Sequence, residues 1–237
     1  MSFEGSRILV TGASKGIGSV VAAELAERGA AVFALSRTGT PAVHGNIEGV
    51  AVDLTDATAL EEAVRARLPL DGLVNCAGVV EVEPFLETGV DNLRTTMDVN
   101  LVAPFRLGQL VAGDCVARGR SASIVNVSSI AADVGTPGHA AYCASKAALD
   151  SLTRVMAVEL GQYGIRTNTV NPVVTWTPMA QKAWSDPHKA AGMKARIPLG
   201  RFAEPEEVAA AVRYLLSEEA SMINGISLPV DGGFRAG

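Results

Sequence analysis

Cysteine, aromatic side chains and excess positive charge are all scarce in this 237-residue sequence. The three cysteines, Cys76, Cys115 and Cys143, are an odd and widely spaced set, which excludes a disulfide framework and points to a reducing compartment. His44, His139 and His188 stand at no ligand spacing to cysteine or aspartate, so no metal site is expected. Lysine and arginine number 20 against 25 acidic residues, a formal charge of −5, and no basic cluster interrupts that balance. A nucleic-acid surface is therefore not expected. No stretch of 18 apolar residues occurs, which argues against a membrane-spanning helix. Glu4 precedes the first short apolar run, and no signal-peptide pattern surrounds it. The expectation is a cytoplasmic protein. Internal repeats and low-complexity segments are also missing.

What the sequence does have is an alternation. Hydrophobic residues make up 48% and charged residues 19%, enough apolar material for one well-covered domain over residues 1–237. Short apolar strands are predicted at Arg7–Thr11, Ala31–Ser36, Gly49–Val52, Leu73–Asn75, Ile124–Ser128, Arg166–Val170 and Ile226–Val230. Helical patterns separate them, among them Ser19–Arg28 and Thr58–Arg67. This is the signature of an α/β fold: a Rossmann-type, doubly wound, seven-stranded parallel sheet with helices on both faces. Between the first strand and first helix lies Gly12-Ala13-Ser14-Lys15-Gly16-Ile17-Gly18. Glycines at such a turn let the backbone approach a pyrophosphate, and the helix start presents free N–H groups to it. Strand, glycine loop, helix and strand together predict a dinucleotide site.

Pro104 falls inside a helical pattern that runs from Thr88 to Arg118. Proline cannot donate to the carbonyl four residues earlier, here that of Asn100, so a kink is expected there. The freed acceptor either serves as a water site or is a by-product of a bend that only shapes packing. The helix from Tyr142 to Glu159 carries Leu149, Leu152 and Met156 on one apolar face, which is core or a subunit interface. Asp150 and Arg154 read as a solvated i,i+4 pair on the other side. The segment 176–200 breaks the alternation with Trp176, Trp184 and three prolines; its place after the sixth strand suits a substrate lid. Ser185-Asp186-Pro187 reads as a helix start inside it, and Pro205–Leu216 as the last helix.

The chemistry-bearing stretch is Tyr142-Cys143-Ala144-Ser145-Lys146. Residues four apart lie one turn apart on one helix face. A free tyrosine titrates near pH 10, and a neighbouring ammonium is expected to pull that value down. A tyrosine tuned in this way could exchange a proton with a carbonyl or alcohol oxygen.

Taken together, Thr11-Gly12 through Gly18, Asn75 to Gly78, Asn100, Ser129, Tyr142, Lys146 and Asn171-Pro172 through Thr177 resemble the short-chain dehydrogenase/reductase superfamily, in order and over nearly the whole chain. The resemblance implies catalytic roles for Asn100, Ser129, Tyr142 and Lys146. Tyr142 would be the acid/base and Ser129 the hydroxyl that orients the carbonyl. Lys146 would bind the nicotinamide ribose and lower the tyrosine pKa, and Asn100 would hold a water linking Lys146 to solvent. For the cofactor it implies Gly12, Ser14, Lys15, Gly16, Ile17 and Gly18 in the loop. Ser36, Arg37 and Thr38 follow at the end of the second strand, and Asp53 and Leu54 after the third. Asn75, Ala77 and Gly78, then Pro172, Thr175 and Thr177, complete the set with Tyr142 and Lys146. Two departures stand out: Cys76 where the family often has asparagine, and Val173 where glycine is usual.

The last third of the chain is most similar to the tetrameric carbonyl reductases of that superfamily, which reduce ketoses and small α-dicarbonyls with NADPH. This implies a homotetramer and a substrate site lined by Ser129, His139, Tyr142 and Trp184. The alternatives are a plain loop position for His139 and a core or subunit anchor for Trp184. Ile130 replaces a polar residue of that group. The second strand ends without an acidic residue to accept from a ribose 2′-OH, and Arg37 with Lys15 can instead bind a 2′-phosphate, so NADP(H) is expected. The expected activity is interconversion of a ketone and a secondary alcohol. A 3-oxoacyl-thioester reductase, another secondary-alcohol dehydrogenase, or a dinucleotide-binding regulator without turnover remain as rivals.

Overall fold

The computed structural model describes residues 1–39 and 45–236; His44 lies outside them. Among the described residues, seven strands form one parallel sheet in the order β3-β2-β1-β4-β5-β6-β7. They are β1 Arg7–Thr11, β2 Ala31–Ser36, β3 Ile47–Ala51, β4 Gly72–Asn75, β5 Ala122–Val127, β6 Ile165–Pro172 and β7 Ser227–Val230. The central strands β4 and β5 are buried along their whole length, as their mostly apolar runs suit when both faces are covered, and their asparagines Asn75 and Asn126 bond each other.

Two helix layers do the covering. On one face, α1 (Gly16–Glu27) and α8 (Pro205–Leu216) pack Val21, Leu25, Val208 and Val212 onto the sheet. On the other, α2 (Ala57–Arg65) and α4 (Ala103–Arg118) bring Leu60, Val64, Leu107 and Val111 against Leu9 and Leu73. The long helix α5 (Ala140–Leu160) adds Met156 and Leu160 to that same cluster. Each fully buried leucine contributes about 1.5–3 kcal/mol through apolar area withdrawn from water. The strand order turns back between β1 and β4, so the loops leaving their carboxyl ends diverge and open a crevice at that point.

Three elements depart from the sequence reading in ways that bear on the crevice. The first helix begins at Gly16, inside the glycine loop, not at Ser19. The single helix expected from Thr88 to Arg118 is α3 (Val90–Met97), a π turn over Asp98–Val102, and α4. In the π turn the Ala103 N–H bonds the Asp98 carbonyl, five residues back, just before Pro104. Widening of this kind lets a helix continue past a residue that cannot donate. The segment 176–200 holds two short helices, α6 (Pro178–Ala183) and α7 (Pro187–Lys194), capped by the side chains of Thr177 and Asp186. A separate apolar cluster ties this segment down, joining Ile130, Val173, Ile197, Phe202 and Phe234.

Candidate active site

The glycine loop lies flat on the turn that follows β4. Gly12 has φ +70°, and a Cβ there would stand 2.8 Å from the Ala77 backbone; a Cβ on Gly18 would stand 2.5 Å from the Gly12 carbonyl oxygen. Only glycine permits either contact. Below the loop, Thr11 Oγ1 accepts from the N–H groups of Cys76 and Ala77 at 3.0 and 3.1 Å, which locks β1 to the β4 turn. Lys15 precedes α1 in extended backbone, no side chain caps the helix, and its first turn has no acidic residue. The free N–H groups of that turn are left for an anion. Thr177 faces the loop from the other side, its Cγ2 3.2 Å from where a Cβ on Gly16 would be. Ser14 and Lys15 are exposed, and Ile17 is half-buried.

At the end of β2, Ser36 is buried and its Oγ has no hydrogen-bond partner. Arg37 and Thr38 beside it are exposed. The second strand itself ends without an acidic residue, but the structure brings one to Arg37 from beyond the neighbouring strand. Asp53, just beyond β3, holds the Thr55 N–H and hydroxyl at 2.9 and 2.8 Å. Those bonds, with a smaller contribution from the Arg37 guanidinium, keep its carboxyl below the ordinary range. Leu54 packs half-buried against the α2–α4 side of the core. Asn75 turns its side chain into the sheet, where Nδ2 donates to Asn126 Oδ1 at 2.8 Å, so its side chain joins β4 to β5. An orphaned buried hydroxyl beside an exposed guanidinium, a backbone cradle that a Cβ would fill and an uncapped helix start together fit a phosphorylated dinucleotide.

The reacting groups gather where β4 and β5 end. Ser129 follows β5 and starts the short turn Ile130–Ala132, accepting from the Ala131 N–H at 3.1 Å. Its hydroxyl lies close enough to the Tyr142 phenol to favour the phenolate. One turn along α5 from Tyr142, Lys146 donates its ammonium to the Val127 carbonyl at 2.8 Å, with Nζ 5.6 Å from the Tyr142 ring centroid. Asn100 is fully buried in the π turn. Its Oδ1 accepts from the Val79 N–H at 2.9 Å, and its Nδ2 donates to the Val79 carbonyl and to Ser145 Oγ, both at 3.0 Å. Ser145 in turn donates to the Tyr142 carbonyl at 2.8 Å. A Cβ on Gly78 would stand 3.4 Å from Asn100 Oδ1 and 3.6 Å from Lys146 Nζ, so the turn after β4 closes over both side chains. The four residues named as catalytic by resemblance thus meet at one place.

The electrostatics of the pair differ from the sequence reading. Burial pushes the Tyr142 phenol above its ordinary value, the Ser129 hydroxyl opposes this, and the neighbouring Cys143 and Cys76 thiols add to it. Lys146 does not pull it down. Burial also lowers Lys146 from 10.5 to about 8, against smaller upward contributions from Cys76 and Asp150. Cys76 itself is held up at about 12 by burial, so it stays a neutral thiol. The arrangement is a neutral phenol, ready to donate, beside an ammonium that releases its proton with comparative ease.

His139 starts α5 with its ring edge-on to Tyr142 at 6.3 Å between centroids. Trp184 lies in the segment 176–200, against Phe202 at 5.7 Å and under the Lys189 ammonium at 4.9 Å. Val173 and Ile130 are both buried in the cluster that ties down the segment 176–200. Pro172 ends β6, and Thr175 is buried with its hydroxyl on the Val173 carbonyl at 3.0 Å. No described non-glycine residue has positive φ, so valine at 173 carries no left-handed strain.

Asp150 is the residue that sequence reasoning misplaced. It is buried, not solvated, and accepts from Asn171 Nδ2 at 2.7 Å and Ser227 Oγ at 3.0 Å. Its position four residues beyond Lys146, on the stripe that begins at Tyr142, was the available signal.

Comparison with known proteins agrees with this geometry. A family model described as Enoyl-(Acyl carrier protein) reductase matches residues 12–235. The L-xylulose reductase of Bos taurus is 49% identical over 237 residues, 98% of this chain and 97% of its own length. The D-erythrulose reductase of Gallus gallus is 47% identical, over 99% and 97%. Among solved structures, a candidate NAD(P)-dependent gluconate 5-dehydrogenase from Beutenbergia cavernae, with NADP bound at low occupancy, superposes with a TM-score of 0.93. It is 35% identical and covers 100% of this chain and 99% of its own.

Proposed function

Because the chain belongs to the short-chain dehydrogenase/reductase family and is an oxidoreductase, we propose that it is an NADPH-dependent carbonyl reductase, interconverting a ketose such as L-xylulose, or a small α-dicarbonyl, with its secondary alcohol. The observation that carries this reading is the convergence of Tyr142, the buried Lys146 ammonium 5.6 Å from its ring and the buried Asn100, with Ser129 at the end of the neighbouring strand. NADPH, when bound, supplies the hydride. The Gly12–Gly18 loop and the start of α1 would hold its pyrophosphate, and Ser36, Arg37 and Lys15 its 2′-phosphate. Ser14, Thr38, Asp53, Leu54, Ala77 and Gly78 would border the adenosine and ribose. Pro172, Thr175 and Thr177 would face the nicotinamide end.

The protein side of the reaction follows from the groups present. Ser129 Oγ accepts from the Ala131 N–H, so its own hydrogen can turn from the Tyr142 oxygen to the oxygen of a bound carbonyl. Tyr142, kept neutral by burial, donates the proton to that same oxygen. Two donors converging on the atom where negative charge develops lower the barrier without reorganisation. Lys146 binds ribose hydroxyls and re-protonates Tyr142, and Asn100 holds the turn of chain behind it. His139 and Trp184 border the substrate, and residues 176–200 act as a lid on a single domain of residues 1–237.

The working assembly in this reading is a homotetramer. Phe105 and Val116 on α4 and Val155 and Val158 on α5 are apolar and exposed. The two helices touch where Met156 Cε would come within 2.7 Å of a Cβ on Gly108. Exposed apolar residues on two touching helices suit an isologous contact between copies. Three free thiols fit a reducing, cytoplasmic location.

The test is a screen of NADPH oxidation against ketoses, diacetyl-type dicarbonyls and acetoacetyl thioesters. Turnover with the first two and none with the thioesters is expected. Turnover confined to thioesters would replace the reading with an acyl-chain reductase, and binding of NADPH without any turnover would replace it with a regulator.

A further inference from the structure

We propose that Asp150 is a positioning residue of this active site: its buried carboxylate, one turn beyond Lys146, clamps the Asn171 amide whose other hydrogen holds the main chain of Ser129. The chain of contacts is short. Asn171 Nδ2 donates to Asp150 Oδ2 at 2.7 Å and to the Ser129 carbonyl at 3.2 Å. Asn171 Oδ1 accepts from Thr169 Oγ1 at 2.7 Å, so the amide cannot turn over without losing that bond as well. Asn171, Thr169 and Asp150 are all buried, and Ser227 Oγ supplies the second bond to Asp150 Oδ2 at 3.0 Å. Strand β6 therefore reads the position of α5 through Asp150 and passes it to Ser129. Tyr142 and Ser129 come from different elements, α5 and the turn after β5, and this clamp spans the gap between them. The proposal rests on the reading of Ser129 and Tyr142 as the catalytic pair.

A second feature separates this carboxylate from ordinary packing. Asp150 Oδ1 is buried and has no hydrogen-bond partner. A buried carboxylate oxygen without a donor is costly. An asparagine could make the bond to Asn171 with no charge to bury. The charge has a use one helical turn away, where it raises Lys146 against the lowering effect of burial. The other titratable groups around Lys146 are Cys76 after β4 and Tyr142 on α5, and both are neutral near pH 7. Asp150 thus has two separable actions: the clamp on Asn171, and negative charge for Lys146.

Two variants divide them. Asp150→Ala removes both. Asp150→Asn keeps the clamp, because its Oδ1 can face Asn171, and removes the charge. Ser227→Ala removes a bond to the same oxygen while leaving clamp and charge in place. With the full chain and NADPH, Asp150→Ala is expected to lower kcat by roughly tenfold to a hundredfold, the scale of a displaced reacting group. NADPH affinity, read by fluorescence quenching, should stay within about twofold, since no group on the cofactor is touched. Asp150→Asn is expected to keep most of kcat and to move the Lys146 limb of the pH profile to lower pH. Ser227→Ala should match the unaltered protein. If Asp150→Ala does not fold, Asn171→Ala takes its place: it removes the amide that joins Asp150 to Ser129 and leaves the carboxylate with its Ser227 bond, and kcat should again fall at unchanged NADPH affinity.

Amide hydrogen exchange at Ser129–Ala131 in the protein without cofactor gives a readout that does not depend on turnover. Faster exchange in Asp150→Ala than in Ser227→Ala supports the clamp. Equal exchange in the two, or a kcat that survives Asp150→Ala or Asn171→Ala, overturns it. If no carbonyl compound is turned over by the unaltered protein while the exchange difference stands, the reductase reading fails and the clamp does not.

Discussion

Lys146 reaches across from α5 to donate its ammonium to the Val127 carbonyl at 2.8 Å, the last residue of β5. The bond fixes the ammonium at the end of the sheet, under Tyr142 and beside Asn100. It does not repay the cost of bringing a charge inside: burial still lowers Lys146 from 10.5 to about 8. A shift of that size corresponds to about 3 kcal/mol of preference for the unfolded chain at pH 7.

Lys146→Met should therefore inactivate the enzyme and stabilise it. The sign follows from the direction of the shift. Below pH 8 the native lysine is charged and its full burial cost is present; above 10.5 it is neutral in both states and the cost is gone. The methionine variant is expected to gain about 2 kcal/mol at pH 7, after the Val127 carbonyl loses its donor, or roughly 5 °C in Tm. That gain should shrink between pH 8 and 10.5. Thermal melts of the cofactor-free protein at pH 7 and pH 10 measure it. A variant that melts lower at pH 7, or whose advantage is the same at both values, would show that the buried ammonium is not under strain.

Tyr142→Phe removes one oxygen and nothing else from the site. Loss of the proton donor should reduce kcat by roughly 10²–10⁴-fold, the usual span for general acid catalysis. NADPH affinity should change little, because the ring stays and Lys146 keeps its own bond to Val127. Single-turnover kinetics with binding followed separately would check this, and near-normal turnover would remove Tyr142 from the role of acid.

How far the sequence reaches is clearest at these same residues. The order of strands and helices was legible because period and punctuation are local: β1 and β2 have the bounds that their apolar runs predict. The glycine loop was legible because its purpose is steric. Pro104 marked Asn100 as a discontinuity, though the result is a π turn and not a simple bend. Long-range electrostatics were not legible. The lysine four residues from Tyr142 suggested a lowered phenol pKa, but the surrounding protein buries the ring and burial prevails. Asp150 looked solvated because its neighbour Arg154 is charged; its partners, Asn171 and Ser227, lie 21 and 77 residues away along the chain. Asp53 and Arg37 are brought together by the pairing of β2 with β3, which local sequence does not specify.

The exposed apolar faces of α4 and α5 give a test of assembly. Val158 is 82% exposed, so a charge there costs the isolated chain little. In a tetramer built on this surface it would be buried beside Val155 and unpaired. Val158→Glu should leave the far-ultraviolet spectrum unchanged and convert the tetramer to smaller species, seen by light scattering at micromolar concentration. A tetramer that survives the substitution, or an unaltered protein that is already monomeric, would place the interface elsewhere or remove it.

Cofactor choice turns on the end of β2. Ser36 offers a buried hydroxyl with no partner, and Arg37 next to it is exposed, with Lys15 across the glycine loop. A 2′-phosphate placed there would give the hydroxyl an acceptor and the guanidinium a doubly charged oxygen set, through short charge-assisted bonds. Asp53 also acts on Arg37, but weakly and from an exposed position where water screens the interaction, so it leaves the guanidinium available. NADPH should therefore exceed NADH in kcat/KM. Arg37→Ala should lower the NADPH value by about tenfold to a hundredfold, one charged hydrogen-bonding partner's worth, and leave NADH nearly unchanged. Ser36→Asp should go further and invert the preference, since a carboxylate at that position repels the phosphate and accepts from a free 2′-OH. Steady-state kinetics with both cofactors at physiological salt decide the matter. Equal efficiency in the unaltered protein, or a preference that Ser36→Asp does not move, would mean that the phosphate is read by other groups or not at all.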